Sequence, residues 1–237
     1  MQGRCHALPL DKSLMNAAHC LSSRPLIQSQ GVIWRSCSFT VGPAHRHEAE
    51  TEFGRVVVDL PPDLARAVDK RRSEFLAGRL CATVALRAAG SDGQVHRRGR
   101  APVWPQGFVG SISHNATRAV AVVSSSLFGI GVDCETWMTS QTAEEISALV
   151  LTEQDLAHIP PNADPAHFCT VVFSAKESLY KALSDHLNDI PDFSEASIVE
   201  ANANRLILAF RGWRVPVDYA ARTAECITLA RLETAQR

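Results

Sequence analysis

The chain has 237 residues, of which 46% are hydrophobic and 21% are charged, and its formal net charge is −1. This length and composition are those of a globular protein with a sizeable core, organised as one large domain or two small ones. A nearly neutral chain lacks the overall basic charge that attracts nucleic acid or an anionic membrane. We therefore expect no nucleic-acid partner, and any cationic site must be local.

Seven cysteines are scattered along the chain without any CxxC or zinc-type spacing. An odd number of cysteines and the lack of a secretory signal predict reduced thiols in a cytoplasmic protein. No apolar run approaches the ~20 residues of a membrane-spanning helix, so we expect no membrane span. His45 and His47 have no carboxylate or cysteine partner at metal-ligand spacing, and we interpret them as surface residues.

Local patterns in the first part of the chain predict strands followed by a long helix. Short apolar runs predict strands at 32–34 and 39–41, and residues 55–60 form either another strand or the entry to the helix. Helical periodicity then runs from Pro61 to Gly90, a glycine that suits the position after a helix. A loop and short strand ending at 110–114 precede a buried strand at 119–123.

The second part repeats the order of helix, loop and strands. A strand is predicted at 128–132, a helix at 141–149, a turn capped by Thr152, and a further helix that includes 173–181. Alternating patterns predict antiparallel strands at 197–200, 205–210, 215–219 and 225–232. We therefore divide the chain into an N-terminal half, 1–126, and a C-terminal half, 127–237.

The segment FSAKESLYK at 173–181 carries Glu177 and Lys181 four residues apart, opposite the apolar stripe of the helix. Ser174 and Ser178 fall on the same side as the charged pair. Taken alone, such a pair is a solvated ion pair worth ~0.3–0.5 kcal/mol. Whether it is more depends on the other motifs of the chain.

The segment GIGVDCE at 129–135 places Asp133 and Glu135 on one face of a predicted strand. Two carboxylates so close repel each other unless a cation lies between them, and an oxygen-only pair suits Mg²⁺. The alternative is a strand end with two solvated acids. The glycines do not form a dinucleotide-binding loop, because the third glycine and the following helix of that motif are missing.

The segment GSISH at 110–114 places Ser113 beside His114, which raises the question of a serine hydrolase. The G-x-S-x-G spacing of a nucleophile elbow is absent, and neighbours on a strand point to opposite faces. Taken alone, His114 is equally consistent with a structural histidine whose ring nitrogens form hydrogen bonds within the fold.

These three segments together resemble one family, the phosphopantetheinyl transferases of the surfactin type, and most closely the branch that contains the enterobactin-synthase enzyme. A fourth segment, KRRSEFLAGRL at 70–80, is also typical of that branch. The resemblance runs from about residue 67 to residue 183. It implies an α+β fold of two similar, pseudo-duplicated halves with the active site in the cleft between them.

The resemblance implies a Mg²⁺-dependent enzyme, a holo-[acyl-carrier-protein] synthase. It would move 4′-phosphopantetheine from coenzyme A to a serine hydroxyl of an apo acyl or peptidyl carrier protein, releasing adenosine 3′,5′-bisphosphate. The expected setting is siderophore or other nonribosomal peptide or polyketide biosynthesis, and the expected state is a monomer. Two alternatives stay open: a metal-dependent hydrolase of coenzyme A or a related nucleotide pyrophosphate, and a degenerate carrier-binding module without activity.

The same resemblance assigns roles to individual residues. Asp133, Glu135 and Glu177 would hold Mg²⁺ on the pyrophosphate. Glu177, directly or through a metal-bound water, would also be the base that takes the serine proton. Lys181 would stabilise the developing charge and the leaving group, and His114 would donate a hydrogen bond beside the phosphates.

The family resemblance also assigns a set of residues to the binding of coenzyme A. Arg71 and Arg79, about two helical turns apart, would lie near the 3′-phosphate and the adenine, where a guanidinium offers a bidentate fork. The full set is Arg71, Arg79, Arg100, Ser113, His114, Lys176 and Lys181. The alternative for each arginine is a solvated helix face. Residues 184–187 depart from the family pattern and are a candidate region for contacting the carrier.

Overall fold

Two antiparallel sheets, each covered by a helix, organise the protein in the computed structural model, which describes residues 19–99 and 101–233. The elements of the first half are β1 (His19–Ser22), β2 (Ile33–Ser38), β3 (Arg46–Thr51), β4 (Gly54–Asp59), α1 (Asp69–Ala88), β5 (His96–Arg98), β6 (Ala101–Val103), β7 (Val109–His114) and β8 (Arg118–Ser124). Those of the second half are β9 (Gly129–Thr136), α2 (Ser140–Val150), α3 (Glu153–Leu156), α4 (Pro165–Leu183), β10 (Ala196–Asn202), β11 (Arg205–Phe210), β12 (Trp213–Ala221) and β13 (Glu225–Leu232). The predicted α+β class is confirmed.

In the first half, the sheet has the strand order β1-β2-β8-β7, and α1 lies across it. Small side chains of α1, including Ala77 and Cys81, pack on Ala119 and Ala121 of β8, so the helix approaches the sheet closely. The β3–β4 hairpin forms a separate sheet that packs through Val56 against α1. Helix α1 is therefore held between two layers.

Two predictions for the first half are wrong in detail. Residues 39–41 are not a strand; Phe39 is instead a buried loop residue whose N–H bonds to the carbonyl of Thr117. The helix predicted from Pro61 begins only at Asp69, because Val68 is extended and separates it from a 3₁₀ turn at Pro62–Leu64. The predicted end is confirmed: Gly90 has a φ of +82°, which glycine adopts without strain.

In the second half, the sheet has the order β10-β11-β12-β13-β9. Its main core lies between this sheet and α4, and it includes Val172, Leu179, Leu208 and Val217. The predicted tail strands are confirmed within two residues at each end. Thr152 caps α3 as predicted, accepting a hydrogen bond from the N–H of Asp155.

Two glycines explain how α4 can lie directly against β9. A Cβ atom on Gly131 would stand 1.9 Å from the carbonyl oxygen of Ser178, and one on Gly129 would stand 2.3 Å from that of Ala182. Both distances are far below van der Waals contact, so only glycine allows this packing. The glycines of the 129–135 segment thus bring the acidic end of β9 next to the charged side of α4.

The two halves meet along β7 and β9, each at an edge of its sheet. The hydroxyl of Ser111 accepts the N–H of Val132 at 3.0 Å, and the hydroxyl of Ser113 donates to Asp133 at 2.9 Å. The division at 126/127 falls in the connection between β8 and β9, and we keep it as a proposal. Within the described ranges, no helix is both long enough and apolar enough to cross a membrane.

Candidate active site

A cluster of acidic side chains around one lysine lies where the two halves meet. Asp133 on β9 is buried, and its Oδ1 accepts hydrogen bonds from Nζ of Lys181 at 2.6 Å and from Oγ of Ser113 at 2.9 Å. Its Oδ2 accepts the hydroxyl of Ser174 at 2.8 Å. The same lysine Nζ is 3.9 Å from a carboxylate oxygen of Glu177. The structure thus brings residues from β7, β9 and α4 to one point.

The negative charge of this cluster exceeds its positive charge. Burial raises the pKa of Glu135 to about 7, and Asp133 and Glu177 add to the shift against the attraction of Lys181. Burial also raises the pKa of Glu177, which Lys181 opposes and Asp133 reinforces. Burial lowers the pKa of Lys181, but the attraction of Asp133 and Glu177 outweighs it and the net shift is upward. The ammonium of Lys181 is therefore the counter-ion of all three carboxylates, and this imbalance of charge favours binding of a further cation.

The carboxylates fit Mg²⁺ in their chemistry, since an oxygen-only donor set with surplus negative charge is what this ion prefers. As they stand, however, no three His, Cys, Asp or Glu side chains in the described part of the chain are grouped to hold a metal ion. In this structure, Lys181 supplies the positive charge at Asp133.

The hydroxyl groups of α4 are buried, although the sequence placed them on the charged side of the helix. Ser174 and Ser178 contact the hydroxyl of Thr228 on β13 at 2.9 and 2.6 Å, and all three residues are fully buried. These contacts fix α4 on the sheet beside Asp133. Thr228 was not predicted, since only its place in an alternating strand marks it in the sequence.

Ser113 and His114 point to different partners, as expected for neighbours on a strand. Ser113 faces Asp133, whereas Nδ1 of His114 lies 3.7 Å from a carboxylate oxygen of Glu74 on α1. Burial lowers the pKa of His114, and Glu74 partly offsets this effect. A half-buried imidazole thus stands between α1 and the cluster, and its predicted role stays a prediction.

The arginines of α1 form a second charged feature. Arg79 is buried, and its guanidinium donates to the carbonyl of Val95 at 3.0 Å. Among the described residues, neither Arg79 nor Arg71 forms an ion pair with an acid. Burial, and then repulsion by Arg97 and Arg71, lowers the pKa of Arg79 to about 10. Arg100, the remaining arginine of the predicted set, lies outside the described residues.

The structure contradicts the prediction that Lys176 binds coenzyme A. Its side chain is fully buried on the far side of α4, where Nζ donates to Asp155 and to the carbonyl of Val150, both at 2.7 Å, and to the carbonyl of Phe193 at 2.9 Å. The reason is its position at the edge of the apolar stripe, which faces α2 and α3 instead of the cleft. Lys176 ties together the segments that pack on α4.

A cleft of about 350 Å³ runs from Lys181 along the junction of the two halves. Its lining is mostly apolar and includes Trp104, Ile112, Phe128, Ile130 and Ala182. Phe128 stacks on the exposed ring of His186 at 4.4 Å between centroids, at the end of the cleft formed by the 3₁₀ turn Ser184–His186. The resemblance implied a cleft between the halves, but its lining residues could not be predicted, because they come from segments far apart in the chain.

Comparison with known proteins matches both halves to one family. The 4′-phosphopantetheinyl transferase N-terminal domain matches residues 60–124, and the 4′-phosphopantetheinyl transferase superfamily matches residues 129–229. Enterobactin synthase component D of Salmonella typhi is 40% identical over 148 residues, which are 61% of this chain and 62% of that protein. The chain thus spans about three fifths of this relative's length.

Further relatives agree. A 4′-phosphopantetheinyl transferase of Mycobacterium tuberculosis is 35% identical over 127 residues, which are 51% of this chain and 55% of that protein. The crystal structure of Thermotoga maritima holo-[acyl-carrier-protein] synthase gives a TM-score of 0.38 at 20% identity, over 47% of this chain and 65% of that one, a likeness too slight to inform the site. Enterobactin synthase component D of Escherichia coli K12 is 33% identical over 172 residues, covering 70% of this chain and 80% of that protein. The chain therefore belongs to the 4′-phosphopantetheinyl transferase superfamily, in the branch of enterobactin synthase component D.

Proposed function

We propose that the protein transfers 4′-phosphopantetheine from coenzyme A to a serine hydroxyl of a carrier protein. The observation that carries this proposal is the meeting of Asp133, Glu135, Glu177 and Lys181 at the junction of the halves, beside Ser113. Family membership supports the same activity, since members of this superfamily use coenzyme A.

In the proposed reaction, the carrier serine oxygen attacks the phosphorus that bears pantetheine. A new oxygen–phosphorus bond forms, and the pyrophosphate bond on the adenosine side breaks. The bond electrons leave with adenosine 3′,5′-bisphosphate, and the serine proton passes to Glu177. Burial raises the pKa of Glu177, which makes this carboxylate a stronger base than one in water.

Lys181 would stabilise the charge that builds up on the leaving phosphate, as a positioned cation does in other phosphoryl transfers. Its ammonium is held by Asp133 at 2.6 Å, so little reorganisation is needed at the moment of reaction. Asp133, Glu135 and Glu177 are the residues that would hold Mg²⁺. When bound, this ion would neutralise the phosphoryl oxygens and orient the pyrophosphate.

Coenzyme A has two chemically different ends, and the site offers a different surface for each. Arg71 and Arg79, cations without an acidic partner among the described residues, suit the 3′-phosphate. The apolar cleft beside Lys181 suits the uncharged pantetheine arm. Ser113 faces Asp133 and His114 lies beside Glu74 of α1, and both would contact the phosphates. The role of Arg100 near the adenosine end stays a prediction.

The partner in this proposal is an apo carrier protein of siderophore or other nonribosomal peptide or polyketide biosynthesis. The names of the relatives from Salmonella and Escherichia support the siderophore setting. The turn Ser184–His186 lies at the end of the cleft, where a carrier would deliver its serine. A cytoplasmic location and a monomeric state stay predictions.

Intact-mass spectrometry of several apo carriers, each incubated with the protein, coenzyme A and Mg²⁺, tests the proposal. A gain of one phosphopantetheine group on the carrier, with release of adenosine 3′,5′-bisphosphate, is the expected result. Consumption of coenzyme A without any gain in carrier mass would favour the hydrolase alternative. Carrier binding without either change would favour a module that has lost its activity.

A further inference from the structure

Arg71 and Arg79 of α1 lie near Arg97 of β5, and the positive charge of these three arginines is only partly compensated. Arg79 is buried, and its pKa is lowered first by burial and then by repulsion from Arg97 and Arg71. Within the described residues, only Arg97 of these three has an acidic partner, Asp63. An excess of positive charge that is partly buried favours the binding of an anion.

Phe75 contacts two of the guanidinium groups. The Cζ atoms of Arg79 and Arg97 are 5.3 and 5.6 Å from the centroid of its ring. The negative face of an aromatic ring attracts cations, so Phe75 holds both arginines at one place. An aromatic ring is not a counter-ion, however, and the net positive charge persists.

Arg97 keeps one donor without a partner. Its Nη2 donates to Asp63 at 2.7 Å and its Nε to the carbonyl of Gly99 at 3.0 Å, but its Nη1 is buried and has no hydrogen-bond partner in the described part of the chain. Buried donors are rarely left unpaired, because each costs free energy. Asp63 itself is 61% exposed, so water already competes for its carboxylate.

We propose that Arg97 is a third ligand of the 3′-phosphate of coenzyme A, and that Asp63 is its internal competitor. The phosphate would receive the unpaired Nη1 of Arg97 together with the guanidinium of Arg79. Asp63 holds Arg97 and the β5–β6 hairpin in place when no anion is bound. It also reduces the affinity for the phosphate, because it already binds Nη2 of the same guanidinium. This inference rests on the proposed function, since it names a residue that selects the proposed substrate.

Two nucleotides that differ only in the 3′-phosphate test the role of Arg97. Adenosine 3′,5′-bisphosphate and adenosine 5′-monophosphate are titrated calorimetrically into the wild type, R97Q and R98Q. Arg98 is the matched control, since it is an exposed arginine on the same strand. R97Q should weaken bisphosphate binding about tenfold or more and monophosphate binding less than about twofold. R98Q should leave the ratio of the two dissociation constants unchanged. Equal weakening of both nucleotides, or no change in R97Q, would overturn the role.

A variant of Asp63 tests the competition and keeps Arg97 intact. D63N should bind the bisphosphate about threefold more tightly than the wild type, because Arg97 is released from its acidic partner. Asp59, an exposed acid paired with Arg46 at 2.6 Å, offers the matched control D59N. Unchanged or weaker binding by D63N would show that Asp63 only fastens the hairpin.

Bisphosphate binding requires no carrier, so failure of this inference can be told apart from failure of the proposed function. A protein that selects the bisphosphate through Arg97 but modifies no carrier would refute the transferase and keep the anion site. Transfer to a carrier with unaltered selectivity in R97Q would refute Arg97 alone.

Discussion

Nζ of Lys181 lies 2.6 Å from Oδ1 of Asp133, so the lysine assigned to phosphate is already the counter-ion of a carboxylate assigned to metal. Only 3% of the Asp133 side chain is exposed, which makes it depend on this partner. The charges of the site therefore act as a unit, and changing one of them alters the others.

Replacing Lys181 by methionine should leave Asp133 buried without its cationic partner, held only by the hydroxyls of Ser113 and Ser174. We expect a loss of about 3 kcal/mol in the free energy of unfolding, as for other buried pairs that lose one member. Mg²⁺ should raise the melting temperature of K181M more than that of the wild type, because the ion would take over the neutralisation of Asp133. Melting curves with Mg²⁺ and with Na⁺ at equal ionic strength measure this difference. Equal shifts in both proteins would show that Lys181 and Mg²⁺ do not share Asp133.

Glu135→Ala and Glu177→Gln should each give a folded protein that converts apo carrier to holo carrier at least about 100-fold more slowly. The physical reason is the loss of one carboxylate from the charged cluster, together with the loss of the proposed base in the second variant. Carrier mass measured over time gives the rate. Glu144→Gln removes an exposed acid of α2 and is the control that should keep full activity. Normal rates in either site variant would refute the assigned roles.

Arg79→Ala should raise the KM for coenzyme A about tenfold or more, with a much smaller effect on the 3′-dephospho form. The expectation follows from a buried guanidinium without an acidic partner among the described residues. Steady-state kinetics with the two substrates measure the difference. Arg87→Ala, two turns further along α1, should not discriminate between them. A loss of equal size for both substrates would exclude Arg79 from the 3′-phosphate.

Lys176→Met should act on stability and not on coenzyme A. Removing this ammonium leaves the fully buried Asp155 without its counter-ion, so we expect a loss of about 3–5 kcal/mol in the free energy of unfolding by urea. The protein that stays folded should show an unchanged KM for coenzyme A. Lys70→Met, at an exposed lysine, should change stability by less than about 0.5 kcal/mol. A raised KM with normal stability would restore the family assignment of Lys176.

His47→Leu should make the protein more resistant to acid. His47 is buried in the β3–β4 hairpin, contrary to its predicted surface position, and neither ring nitrogen has a hydrogen-bond partner among the residues that the structure describes. Burial lowers its pKa below the ordinary 6.5, so the unfolded chain binds a proton more readily than the folded protein. Stability is therefore full above pH 6.5 and is lost as the pH falls through the lower folded pKa.

Urea unfolding at a series of pH values measures this effect. The loss of stability below pH 6.5 should be smaller in H47L than in the wild type. The exposed His45 offers the control H45L, which should retain the wild-type dependence. If the free energy of unfolding falls as much below pH 6.5 in H47L as in the wild type, groups other than His47 govern the response to acid.

Several features of the fold could be predicted because they depend on neighbours along the chain. The alternation of β10 to β13 and the helical spacing of α4 are periodic signals within single elements. The start of α1 could not be predicted in this way, since both Pro61 and Asp69 are acceptable helix starts. The burial of His47 also escaped prediction, because it depends on the packing of a hairpin against α1.

The sequence by itself determined the family and the set of chemical groups: the acids of β9, the acid and lysine of α4, and the arginines of α1. The tertiary structure alone decided which charges are free. Lys176 and Arg79 are both cations on predicted helices, yet Lys176 is neutralised by Asp155, 21 residues away, whereas Arg79 has no acid beside it among the described residues. The physical reason is that an opposite charge within a few ångströms weakens the attraction of a cation for a ligand, and folding alone brings such partners together.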